Sequence, residues 1–354
     1  MKVLMLVNWN VKKATTELSD SQPSNYYIPG EKYWFFRHIK DEIQVDVKGV
    51  SNSFISKIER KIFKFYIFQT IKILFRLKKY DVVISHGAQS GVFLSFLRRF
   101  KKWNFKHILI DVGAFNSASE KNRIQDRMLK FASKSLDYVI YHESNQIKYY
   151  EKYYPWLVGI SRFIPYGADI DFFTQKQTRQ NTKNDYVICV GYSKRDWNTL
   201  IKAYRKVKTD CKLLLLGKKI YTDDNRIVSL EKVDVNSMIQ YILGARFCVL
   251  PLENYNYSFG QMTFLQQCLL KKLVIVSKVS SMIDYGIDHK TCMFFEAGDH
   301  EELSKIICEM LADEEKCKLI GENAHKFVCD ILSDKNMALN IYSVLKELVE
   351  NEKK

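Results

Sequence analysis

S-F-G-Q-M-T-F-L-Q-Q, at positions 258–267, is the stretch from which the rest of the chain is read. The apolar run Phe247-Cys248-Val249-Leu250 precedes it. A helix-like segment to Lys272 follows, then a second apolar run, Leu273-Val274-Ile275-Val276-Ser277. A strand, a polar turn, a helix and another strand make a parallel crossover and predict an α/β sheet. The turn falls at the carboxyl end of the first strand, where open α/β sheets bind their ligands. Gly260 lets backbone approach a ligand closely, and the helix N-terminus after it can face an anion. Many crossovers bind nothing, so the neighbouring segments have to decide.

The same alternation extends in both directions. Apolar runs predict strands at 2–7, 45–47, 80–85, 107–110, 136–141, 186–190 and 213–216. Helical spacing is expected at 31–43, 54–77, 123–135, 197–206 and 235–243, from Gly87 to Phe100, and again at 299–311, 313–329 and 334–350. Two strands end in His86-Gly87 and Asp111-Val112-Gly113, which puts His86 and Asp111 at the ligand-binding edge. Either residue there is a structural group or a catalytic one.

A chain of 354 residues suggests two domains, and 47% hydrophobic with 27% charged residues is ordinary globular usage. The polar run 174–184 reads as a linker, giving domains at 1–170 and 171–330 and a terminal helix at 331–354 that packs back on the first domain. The net charge of +15 is unevenly spread. Thirteen basic residues between positions 54 and 107, among them Lys72, Arg76, Lys78 and Lys79, face only Glu59 and Asp81. Interleaved with Ile55, Ile58, Ile62, Phe65 and Phe68, they predict either a solvated basic face or contact with an anionic membrane. No nucleic-acid motif accompanies the charge, so no specific nucleic-acid partner is expected.

All eight cysteines lie in the second half without a C-x-x-C pair, as expected of buried, reduced thiols in a cytoplasmic protein. Neither they nor the seven histidines show metal-ligand spacing, so no metal is expected. Residues 1–9 read as a first strand and not as a signal peptide, and no apolar stretch is long enough to span a membrane.

Four segments, in order, make the second half resemble the family 4 glycosyltransferases, retaining enzymes of the GT-B fold that use a nucleotide-sugar donor. I-P-Y-G-A-D-I-D-F-F (164–173) is similar to the family's interdomain segment. V-G-Y-S-K-R-D-W-N-T-L-I-K-A (190–203) resembles the strand-loop-helix whose basic residue holds the donor diphosphate, with Arg195 at the usual lysine position. The stretch from 258 to 276 resembles the segment that carries two glutamates eight positions apart. D-Y-G-I-D (284–288) through F-F-E-A-G-D-H-E-E-L (294–303) resembles the family's tail. The first half matches only in its strand–helix alternation. This chain departs at both acidic positions, which hold Ser258 and Gln266, and it lacks the glycine-rich turn expected after the first strand.

The resemblance implies an α/β GT-B fold with two Rossmann-like domains facing each other across a cleft. It implies donor contacts from Gly191, Lys194, Arg195, Gly217, Ser258, Gly260, Gln261, Met262 and Gln266, with Arg195 acting on the leaving diphosphate. His86 and Asp111 are candidate catalytic residues on the acceptor side. Without a metal or other cofactor, sugar would pass with retention to a glycan or lipid-linked glycan in surface polysaccharide assembly, at the inner membrane face. The loss of both acids leaves open a non-catalytic relative that binds nucleotide or glycan, or scaffolds a partner.

Overall fold

A computed structural model of the chain describes residues 1–50, 54–62, 65–113, 115, 123–176, 185–192, 194–231, 233–255 and 258–350. The side chains of Lys57 and Arg60, Lys64, and most of the expected linker (177–184) lie outside the described residues. The chain divides into two compact units. One comprises Met1–Pro165 with Asn256–Ser258 and Lys335–Lys354; the other comprises Tyr166–Tyr255 with Phe259–Asp334.

In the first unit, β1 (Lys2–Val7), β2 (Gln44–Lys48), β3 (Val82–His86), β4 (Lys106–Asp111), β5 (Tyr138–Tyr141) and β6 (Ser161–Phe163) form a parallel sheet. Its order is β2-β1-β3-β4-β5-β6, so the chain reverses direction beside β1 and opens a crevice between the carboxyl ends of β1 and β3. Helices α1 (Phe54–Ile62), α2 (Ile67–Ile73), α3 (Ala88–Arg98), α4 (Arg123–Ser133) and α5 (Gln146–Tyr153) join these strands.

The second unit repeats the plan. β7 (Tyr186–Val190), β8 (Lys212–Leu216), β9 (Ile227–Leu230), β10 (Cys248–Leu250), β11 (Val274–Lys278) and β12 (Met293–Glu296) pair in parallel, in the order β9-β8-β7-β10-β11-β12. Leu213 and Leu215 enter one buried cluster and Leu214 and Leu216 the other, which is why the strand reads as an unbroken apolar run. Its helices are α6 (Ile170–Gln175), α7 (Trp197–Lys206), α8 (Val235–Gly244), α9 (Gln261–Leu269), α10 (His300–Ala312) and α11 (Glu314–Ile331). A terminal helix, α12 (Asp334–Glu350), lies almost wholly in the first unit, where Arg162 forms a bidentate pair with Glu347.

The helix expected at 31–43 is absent, and only a 3-10 turn at Trp34–His38 forms. Trp34, Phe35 and Phe36 are all buried, so no single helical face carries the apolar residues, and the Lys32 ammonium ties off the turn at the carbonyls of Ile39 and Asp41. The single helix expected at 54–77 is broken. Adjacent Phe65 and Tyr66 are both buried, Tyr66 donates its amide to the Gln89 carbonyl, and Glu59 turns back to accept from the Phe68 amide. A 3-10 segment, Leu74–Lys79, completes the connection to β3. Strands β6, β9 and β12 are additions to the expected set. Among the described residues no helix is long and apolar enough to cross a membrane. All eight cysteines are free, and six of them are buried.

Candidate active site

Strand β7 ends at the point where the second sheet reverses direction, between β7 and β10. The residue after it, Gly191, has φ +143°, and a Cβ there would overlap the guanidinium of Arg195. Glycine therefore lets Arg195 fold back against the strand end. The Arg195 Nε donates to the Val190 carbonyl at 2.9 Å, and its backbone bridges to Leu252 just beyond β10. The side chain is 7% exposed. Burial draws its pKa below the ordinary arginine value, yet a guanidinium stays protonated at neutral pH. A fixed positive charge thus sits in the ligand crevice of the second sheet.

Helix α9 brings its amino end to the same place. Arg195 Nη2 donates to Thr263 Oγ1 at 3.0 Å, and Thr263 is the third residue of the helix. Other helices of this unit open with an aspartate that caps the first turn: Asp196 for α7, Asp234 for α8, Asp299 for α10 and Asp313 for α11. Helix α9 opens instead with Gly260, at φ +87° and with no side-chain cap. A Cβ on Gly260 would lie 2.9 Å from Leu252 Cδ1, the end of a side chain that can shift, so it is the left-handed backbone that calls for glycine at this start. The first amides of α9 have no intrahelical acceptor and carry the positive end of the helix dipole.

Gln261 and Gln266 are both 6% exposed, whereas Met262 is half exposed. The Gln261 Nε2 is buried with no hydrogen-bond partner among the described residues, as are both amide atoms of Gln267. Gly217, with φ +136°, ends β8; a Cβ there would overlap the Gly191 carbonyl, so this glycine permits the close approach of two strand ends. Lys194 has a left-handed backbone at φ 58°, and its ammonium lies 3.5 Å from the ring centroid of Tyr255. Ser258 Oγ is buried with no hydrogen-bond partner among the described residues, and Ser258 groups with the first unit.

In the first unit, His86 ends β3 beside the crevice at β1. Trp9 meets it edge-on at 4.9 Å and His142 lies 6.4 Å away, centroid to centroid. Burial, helped by His142, pulls His86 down to about 3, and burial holds His142 at about 4, so both rings are neutral at ordinary pH. Asp111 is fully buried. It accepts from the Gly113 amide at 2.9 Å, the Tyr150 hydroxyl at 2.6 Å and the Gln146 side-chain amide. That is the bonding of an anchor that holds the β4 end in place.

Among the described residues no group of three or more His, Cys, Asp or Glu side chains is placed to hold a metal. The residue that sequence reading missed is Thr263. Its only signal was a hydroxyl one position past Gly260-Gln261-Met262, and its role depends on Arg195 reaching it from another loop.

No protein-family profile matches the chain, and no curated protein matches it. Solved structures do. Sucrose-phosphate synthase from Thermosynechococcus elongatus superposes with a TM-score of 0.73 at 16% identity, covering 99% of this chain and 100% of that one. Anabaena HepE in complex with UDP-glucose gives 0.67 at 15% identity, covering 98% and 100%. A glycosyltransferase from Rickettsia africae gives 0.61 at 15% identity, covering 99% of each chain. Identities of this size speak for architecture alone, and with the two parallel six-stranded sheets they show that this chain has the GT-B fold.

Proposed function

We propose that the protein is a glycosyltransferase that takes sugar from a nucleotide-sugar donor. The observation that carries this reading is the meeting of the buried Arg195 guanidinium with the uncapped start of α9 at the switch point of the second sheet. Fixed positive charge and free amides there suit a diphosphate, and they stabilise the negative charge that builds on the leaving nucleoside diphosphate as the glycosidic bond breaks. With that charge met by Arg195 and α9, the reading needs no metal. HepE, of the same fold, is solved with UDP-glucose, which supports a donor of this class.

Gln266, donor and acceptor at once, would bind the ribose hydroxyls, with Gln261 and Met262 beside the phosphates. Gly191 and Gly217 shape the strand ends, and Lys194 would leave Tyr255 to join the diphosphate. Ser258 stands where the family 4 pattern has its first glutamate. His86, neutral and at the crevice of the first sheet, belongs to the acceptor side, with Asp111 as a positioning residue. We assign retention of configuration, a glycan or lipid-linked glycan acceptor in surface polysaccharide assembly, and a peripheral place on the inner membrane face.

The second reading, a non-catalytic binding relative, is favoured by Ser258 and Gln266 in place of two acids. Calorimetry against a panel of nucleoside diphosphates, followed by mass spectrometry of sugar transfer and donor hydrolysis, separates the two. Transfer or hydrolysis establishes the enzyme; tight binding with neither establishes the binding relative.

A further inference from the structure

The amino-terminal edge of the first sheet, opposite the ligand edge, carries an unusual surface. Every strand there is parallel, so the segments leading into β3, β4 and β5 all end at this edge. Each carries an exposed phenylalanine before its strand: Phe75 is 94% exposed, Phe100 72% and Phe131 37%. Phe100 and Phe131 lie 5.8 Å apart, centroid to centroid, and the Arg99 guanidinium is 5.0 Å from the Phe131 ring. Exposed lysine pairs follow the first two, Lys78-Lys79 after Phe75 and Lys101-Lys102 after Phe100. The two segments adjoin, because Ile73 and Leu77 share a buried cluster with Leu94 and Phe105.

The acids of the same layer are already engaged. Asp81 accepts the Lys2 amide at 2.7 Å, and Asp126 takes the Tyr154 hydroxyl and Lys130. Asp137 pairs with Arg98 at 2.8 Å. The edge therefore presents lysines unneutralised by these acids beside large apolar rings. Water solvates such rings poorly, and exposed patches of this kind mark interaction surfaces. A polyanion that only paired with the lysines would leave Phe75 in water. A bilayer interface accommodates both, taking the rings at the acyl boundary while the lysines reach the headgroups.

We infer that this edge docks on an anionic lipid bilayer, with Phe75 and Phe100 entering the interface and Lys78, Lys79, Lys101 and Lys102 engaging the headgroups. The inference rests on the peripheral-membrane part of the function proposed above. It narrows the contact expected across 54–107 to the sheet edge, leaves α1 out of it and extends it to α4.

Flotation with phosphatidylcholine vesicles, with and without phosphatidylglycerol, tests it. Wild type is expected to float only with phosphatidylglycerol and to release at high salt. Phe75→Ser/Phe100→Ser should weaken binding roughly tenfold, and reversing the four lysines to glutamate by a hundredfold or more. Phe54→Ser/Ile62→Ser on α1 should bind as wild type; circular dichroism checks that each variant is folded. Wild type that ignores phosphatidylglycerol, a phenylalanine variant that binds unchanged, or loss of binding in the α1 variant overturns the inference. So does equally tight binding to an RNA oligonucleotide that depends on the lysines and not on the phenylalanines. Calorimetry with nucleoside diphosphate on the same samples separates the two claims. Nucleotide binding without vesicle binding sinks the docking edge alone; vesicle binding without nucleotide binding sinks the transferase alone.

Discussion

Arg195 Nη2 and Thr263 Oγ1 lie 3.0 Å apart, although 68 residues separate them in sequence. One bond thus fixes a buried cation against the open start of a helix. It also fixes the orientation of the planar guanidinium beside that helix start.

Thr263→Val keeps the shape of the side chain and removes the oxygen that accepts from Arg195. The expected cost is about 1–2 kcal/mol in nucleoside diphosphate binding, a loss of roughly tenfold. Thr263→Ser should restore most of it. Calorimetry reads both, and a valine variant that binds like wild type would remove Thr263 from the site.

Gly191→Ala places a methyl group where the Arg195 guanidinium lies, on a backbone with φ +143°. The backbone strain alone costs about 1–3 kcal/mol, and the arginine must also move. Thermal unfolding should show a lower midpoint, and nucleotide affinity should fall further than stability alone accounts for. An alanine variant with wild-type stability and affinity would contradict the geometry.

Gln266 is assigned to the ribose and not to the phosphates. Gln266→Ala should weaken a nucleoside diphosphate by roughly tenfold while leaving inorganic pyrophosphate unchanged. Equal losses for both ligands would place Gln266 on the phosphates.

Acid should weaken the fold through buried histidines. Burial holds His86 at about 3 and His142 at about 4, and it pushes His107, between Ser85 and Ser95, well below 6.5. In the unfolded chain all three return to about 6.5, so falling pH protonates the unfolded state first. Their contribution is present above about pH 6.5 and is lost as pH falls toward 4 for His142 and toward 3 for His86, by at most about 1.4 kcal/mol per unit for each histidine. Urea unfolding at pH 7 and pH 5 measures the slope. His86→Gln should flatten it by close to one proton, and an unchanged slope would mean that His86 is not held neutral.

The layered α/β architecture was legible because strands buried on both faces, such as Lys212–Leu216, must read as continuous apolar runs. The segment around Trp34 misled because clustered aromatics satisfy a helical pattern locally while tertiary burial on all sides decides otherwise. Strand Met293–Glu296 carries the same kind of apolar pair, but it is short and becomes a strand only by pairing with Val274–Lys278. At the candidate site, Arg195 and Gly260 stood out through residue type and position. Thr263 did not, since which side chain of α9 faces Arg195 depends on how the helix is rotated against a distant loop.

The central claim is that Arg195 and the start of α9 form a diphosphate site. Titration calorimetry of wild type and Arg195→Ala with a nucleoside diphosphate, and with the same nucleoside lacking phosphates, tests it most directly. The account predicts at least a tenfold to hundredfold loss of diphosphate affinity in the variant, about 1.5–3 kcal/mol for hydrogen bonds to a charged group, with nucleoside affinity and the folded state preserved. Equal diphosphate affinity in a folded Arg195→Ala protein would contradict it.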